Sequence, residues 1–372
     1  MIERYRYLNF WDEIKESDNL FWTVGSIDSS LFLIDHKENL VRRICRLPRQ
    51  GKFVENRFCY MVEIKNKIIA IPQNCFQLGV YDKDKKEMMG VDVHIDTNWF
   101  GYSALKGFEY NDKGIIFSSK AKHLPIILNL DDLKVDWMRK WEDFMDEING
   151  DNARYVCANI DRYGEGIIFG KYNSNQVLYF DLKNQKGFVI DKFPSNISIF
   201  KTYVDKNTIF AIPLNENCIY IKELGRESTC RKISVSKKTE RFVTMLFDDK
   251  ELVLIPQNEP QIYIINRATE DYCIVECDRK RINNLYNEGI PSSFFKGRMD
   301  QSNIFLYPCR TDKLVKVNRT TLQPEYINIF VSRELDYDDL KIECFCGYDG
   351  DIFFEKEISL NKYVEGVVKG IV

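Results

Sequence analysis

The chain has 372 residues, 44% of them apolar and 13% aromatic, and carries a net charge of −3. That balance excludes a global field drawing it to nucleic acid or an anionic membrane, and no apolar run approaches the roughly 18 residues of a membrane span. The eleven cysteines, odd in number and mostly in or beside strand-like runs, read as buried reduced thiols and not as a disulfide framework.

The first residues contain no apolar stretch of the kind that targets a chain for secretion, so the sequence reads as cytoplasmic. ERYRYL at 3–8 is a short strand candidate. A phrase then recurs eight times: an apolar strand, a polar turn, a second apolar strand, and an acid or amide. Its opening residues are Leu20, Ile68, Ile115, Ile167, Ile209, Leu252, Ile304 and Ile352, at intervals of 48, 47, 52, 42, 43, 52 and 48. Strand-built periods of about 40 to 50 residues indicate a β-propeller.

Four of the opening strands are near copies: IIAIPQN at 68–74, IFAIPLN at 209–215, LVLIPQN at 252–258 and IFLYPC at 304–309. Their unbroken apolar runs suit a strand buried on both faces. The proline ends each one, because it has no N–H for the ladder. The following strand closes on Asp35, Asp82, Asp131, Asp181, Glu223, Asn266 or Asn318, separated from the opening residue by 14 to 16 positions. So constant a separation implies one hairpin geometry reused. The acid or amide is read as a turn residue whose side chain accepts from the backbone two residues on, not as a metal ligand. An inner strand precedes each pair, as in FCYMVEI at 58–64 and FVTMLF at 242–247. Four strands per blade follow.

Two stretches interrupt the rhythm. Trp137, Trp141, Phe144, Met145 and Ile148 recur at helical intervals, which predicts an amphipathic helix within an insertion over 136–149. It is expected to pack on the propeller's flank, or to dock a partner if Trp137 and Trp141 are exposed. The segment 277–292 reads as a long loop between blades. The eighth copy stops after three strands, and the strand at 3–8 is the natural fourth, which would leave no free sheet edge. The expected fold is therefore one all-β domain over 1–372, an eight-bladed propeller closed by its N-terminal strand, with seven blades the alternative.

In rhythm the whole chain resembles β-propellers of the broad kelch and WD-repeat type. It has neither the glycine doublets of kelch repeats nor the Gly-His and Trp-Asp frame of WD repeats. The resemblance implies a ligand or partner site on one face, usually over the central channel, and carries over no residue.

Chemistry-bearing motifs are sparse. There are three histidines, of which His36 and His123 read as exposed turn residues, and no spacing suits a transition metal, so no metal or cofactor is expected. Phosphate loops and nucleophile elbows are absent. One constellation stands out: Arg57-Phe58, Arg154-Tyr155 and Arg241-Phe242 open three inner strands, with Lys201 and Lys296 near the same level in two others. If these cations ring the channel mouth, they favour a carboxylate or phosphate. The alternative is that each arginine pairs with a neighbouring blade while its aromatic wedges between blades.

Three functions remain open at this level. The leading one is a non-enzymatic module that binds a protein segment or a small anion at the mouth. The second is an enzyme acting on carbohydrate or peptide in the same funnel. The third is an assembly role for the 136–148 helix.

Overall fold

The computed structural model describes residues 3–4, 10–25, 30–48, 58–72, 76–93, 104–120, 123–149, 157–225, 230–235, 241–256, 259–282, 294–308, 313–328 and 330–331. Seven sheets are present among them, each containing four antiparallel strands hydrogen-bonded in chain order from the inside outward. Their inner strands are Phe10–Lys15, Phe58–Ile64, Ala104–Tyr110, Asp161–Tyr163, Ile199–Asp205, Phe242–Phe247 and Phe294–Met299, and we number the blades 1 to 7 in that order.

Eight blades are not found. The inner strand of blade 7 packs directly against that of blade 1, where Lys296 meets Asp12 and Arg298 meets Glu13. An eighth sheet has no place between them. The expected eighth copy, opening at Ile352, lies outside the described residues. The N-terminal strand also differs from expectation. Glu3–Arg4 pairs with Phe330–Val331, which itself runs parallel to the outer strand Leu40–Arg46 of blade 1. The chain leaving blade 7 thus crosses to the rim of blade 1, and the N-terminal strand covers that rim.

The repeated phrase forms the second and third strands of each blade. Ile68, Ile69, Ala70 and Ile71 are at most 1% exposed, as are Ile209 to Ile212 and Leu252 to Ile255. Such strands lie between two neighbouring blades, so both faces are apolar. The acids and amides after them are turn acceptors: Asp35, Asp82, Asp181, Asn266 and Asn318 each accept two backbone N–H groups at 2.8–3.1 Å. In blade 3 the acceptor is Asn129, not Asp131, and it is Asn129 that pairs with Lys113 at the end of the ladder. Four residues after these acceptors stand Asn39, Lys86, Leu133, Gln185, Glu270 and Leu322, all with φ between 50° and 63°. One hairpin geometry is therefore reused six times.

Apolar clusters fill the seams between successive blades. Trp22, Phe58 and Ile68 pack between blades 1 and 2, and Phe210, Phe242 and Tyr263 between blades 5 and 6. The helix Lys140–Asn149 starts after the outer strand Val135–Trp137 of blade 3, so residues 136 and 137 are strand and not helix. Its apolar face caps the seam between blades 3 and 4. Trp141 is 1% exposed, with its ring 5.0 to 5.9 Å from those of Phe117, Phe144, Phe169 and Phe180. Gly187, on the outer strand of blade 4, leaves room for the Phe144 ring, which a Cβ there would meet at 2.4 Å.

Candidate functional site

The channel wall is organised by a recurrent β-bulge. In blades 2, 3, 5, 6 and 7 the pairing of the inner strand slips by one residue after its first position. A bulge re-aims the side chain that follows it. The residues so placed are Tyr60, Lys106, Lys201, Thr244 and Lys296. Counting along the register puts Asp12 of blade 1 and Asn159 of blade 4 at the same level.

These side chains reach forward to the next blade. Lys106 pairs with Asp161 of blade 4 at 2.7 Å. Asp161 also accepts from Asn159 and from the Val204 N–H of blade 5, both at 3.1 Å. Asn159 donates to the Thr202 carbonyl at 2.7 Å, and Lys201 to the Val243 carbonyl of blade 6 at 2.6 Å. Tyr203 accepts from the Met245 N–H at 3.1 Å. Asp12 accepts from the Met61 N–H at 3.0 Å and meets Lys296 on its other side. The polar level of the channel therefore doubles as a fastening between blades.

Burial shapes its electrostatics. It pushes the Lys201 ammonium down to about 8, and the Arg241 charge adds to the effect. Lys296, with the Asp12 carboxylate beside it, is pulled to about 8 by burial as well. Burial raises the Tyr203 phenol to about 12. It raises Tyr60 too, with Tyr203 of the far blade acting across the channel in the same direction.

Of the residues singled out by sequence, Lys201 and Lys296 stand at the channel level, and Arg241 stacks on Phe200 with 4.4 Å from guanidinium carbon to ring centroid, close to Lys201. Phe58 and Phe242 are fully buried wedges between blades. Arg57, Arg154 and Tyr155 lie outside the described residues. Trp141 is buried, which removes the docking motive for that side chain, and Trp137 packs half-buried over the seam of blades 2 and 3.

Two histidines expected in exposed turns are interior. His123 is 2% exposed beside Ser118, at 3.2 Å. The His36 side chain is 9% exposed, lies 3.2 Å from Glu13, and sits against the rings of Phe21 and Phe305. Glu13 also accepts from the Tyr307 hydroxyl, and the Arg298 guanidinium is sandwiched between Phe21 and Phe305 at 4.0 and 3.8 Å from their centroids. No local signal marks this cluster, since His36 and Tyr307 are 271 residues apart. In front of it a cleft of about 780 Å³ opens between blades 1 and 7. Among the described residues no group of three or more His, Cys, Asp or Glu is placed to hold a metal ion. The described cysteines are free thiols, and burial raises Cys45, Cys218 and Cys277 to about 12. No helix among the described residues is long and apolar enough to cross a membrane.

No family model matches the chain, and no curated protein matches it in sequence. Solved structures do resemble it. Virginiamycin B lyase from Staphylococcus aureus superposes with a TM-score of 0.61 at 9% identity, over 85% of this chain and 98% of that one. A streptogramin B lyase gives 0.60 at 9%, over 88% and 98%. The extracellular domain of a putative hybrid two-component system from B. thetaiotaomicron gives 0.55 at 14%, over 83% of this chain and 39% of that chain. At such identities the likeness establishes a β-propeller and no narrower type, so kinship with kelch or WD repeats does not follow.

Proposed function

We propose that the protein is a non-enzymatic binding propeller whose channel mouth takes a small anion, or the acidic side chain of a protein segment, between Lys201 and Arg241. One observation carries this reading. Lys106 and Lys296 face carboxylates, whereas the Lys201 ammonium is bonded to a backbone carbonyl, with the Arg241 cation close by. A carbonyl does not neutralise an ammonium, and two neighbouring cations at a recessed site favour an anion. Arg57 and Arg154 belong to the same proposed ring, and a cytoplasmic location to the same proposal. The test is titration of the full chain with inorganic phosphate and with succinate, followed by calorimetry. Saturable binding that weakens at least roughly tenfold in Lys201→Met and in Arg241→Gln supports the reading. Absence of binding, or equal binding by both variants, removes it.

A second reading, an enzyme acting on carbohydrate or peptide, is favoured by the Asp12–Lys296 contact. Here a carboxylate touches a channel lysine whose proton is loosened by burial, an arrangement suited to proton transfer near neutral pH. Its test is turnover of a glycoside and peptide panel that is abolished in Lys296→Met while the fold is retained.

A further inference from the structure

Lys201 and Arg241 are held in relation to each other by one strand start. The Lys201 nitrogen donates to the Val243 carbonyl at 2.6 Å, and Arg241 stands two residues before that carbonyl. Between them Phe242 is fully buried in the seam of blades 5 and 6, which fixes the segment. Both cations also border one ring: the Lys201 nitrogen lies 5.4 Å and the Arg241 guanidinium carbon 4.4 Å from the Phe200 centroid. Tyr172 stands edge-on to the same ring at 6.3 Å. Lys201 and Arg241 each keep part of their surface exposed, so a ligand can reach them.

The two cations differ in what they can do. A guanidinium stays charged and offers a carboxylate its planar fork. A lysine can also give up its proton, and burial beside a second cation, which brings Lys201 down to about 8, is the setting that makes an amine nucleophilic. Lys106 meets Asp161 and Lys296 meets Asp12, whereas among the described residues no carboxylate is paired with Lys201. Its carbonyl partner serves either protonation state, because a neutral amine still donates one hydrogen there and keeps its lone pair for another atom. A simple anion uses only the charges of this site. A carboxylate that also carries a ketone or aldehyde uses both groups.

Resting on the anion reading, we propose that the Lys201–Arg241 site takes an oxo acid, whose carboxylate pairs with Arg241 and whose ketone or aldehyde carbon is captured by the Lys201 nitrogen as a reversible imine. The nitrogen lone pair forms the bond to the carbonyl carbon while the C=O pair moves onto oxygen. Both amine protons then leave with that oxygen as water, and C=N replaces C=O.

The experiment incubates the full chain with glyoxylate, pyruvate and levulinate in the presence of cyanoborohydride, and locates the reduced adduct by peptide mass mapping. Succinate and acetone serve as probes that carry only one of the two groups. The expected result is an adduct concentrated on Lys201 and suppressed by succinate. Lys201→Arg is expected to keep succinate binding and lose the adduct. Arg241→Gln is expected to lower labelling by the oxo acids several-fold and labelling by acetone much less. Succinate binding without a Lys201 adduct, an adduct spread evenly over exposed lysines, or oxo-acid labelling unchanged in Arg241→Gln overturns the imine and leaves the anion reading standing. Absence of both succinate binding and adduct removes the two together. Mapping of the native chain decides even where a variant does not fold.

Discussion

Arg298 of the last blade approaches Glu13 of the first to 2.9 Å at the point where the ring closes. The four antiparallel strands of each blade come from one continuous stretch of chain, so the inner strands of blades 7 and 1 are joined by side chains at this seam. The two termini of the described chain reinforce it from outside, through Glu3–Arg4 and Phe330–Val331 on the rim of blade 1.

Removing one member of a buried pair leaves the other charge uncompensated. Arg298→Met is therefore expected to lower stability by about 3–5 kcal/mol, seen as a reduced midpoint in chemical denaturation. Adding Glu13→Gln is expected to recover part of that loss. A double variant no more stable than the single one places the stabilisation elsewhere, in the Phe21 and Phe305 sandwich.

The helix is an integral part of the seam between blades 3 and 4. Trp141→Ala is expected to cost about 3–5 kcal/mol by opening a cavity. Gly187→Ala drives a methyl into the Phe144 ring and should displace the same helix, with a red shift in tryptophan emission. Unchanged emission and melting temperature in both variants contradict this packing.

His123 should make the protein acid-sensitive. Burial lowers its folded value to about 4, with the Lys120 charge a smaller cause, against an ordinary value of 6.5. Between those values the unfolded chain binds the extra proton and the folded one does not, so stability falls as pH drops from about 6.5 to 4. The loss from this one group is on the order of 2–3 kcal/mol. His123→Gln should flatten that part of the stability profile, measured by denaturation at stepped pH.

Lys201 predicts an alkaline trend of the same sign. Its folded value near 8 lies below the ordinary 10.5, so the cost of burying the charge is present below about 8 and is relieved as pH rises towards 10.5. Stability should rise across that window in the native chain and not in Lys201→Met. On the proposed anion reading, phosphate affinity should fall over the same range as the ammonium is lost.

How much of this is legible in the sequence follows from where each interaction lies in the chain. The bulge position is only partly readable. Lys201 and Lys296 are picked out by lying near the level of the Arg-aromatic pairs, but that pattern also selects Phe58 and Phe242, which are core. An aromatic at the start of an inner strand is needed to wedge the blades whether or not a ligand site is near. His36 reads as an exposed turn residue because its turn is ordinary and its partners, Glu13 and Tyr307, belong to other strands.

The sequence by itself determined the blade: period, four strands, proline stops and turn acceptors are local, and each is enforced by hydrogen bonds within some 15 residues. Only the tertiary structure decided the number of blades, the place of the N-terminal strand and the composition of the closing seam. Those depend on which two inner strands meet after nearly 300 residues of chain, a distance over which periodicity carries no information about register around the ring. The Glu13, His36, Arg298 and Tyr307 cluster exists because blade 7 arrives at blade 1, and before that arrival its members share nothing in the chain.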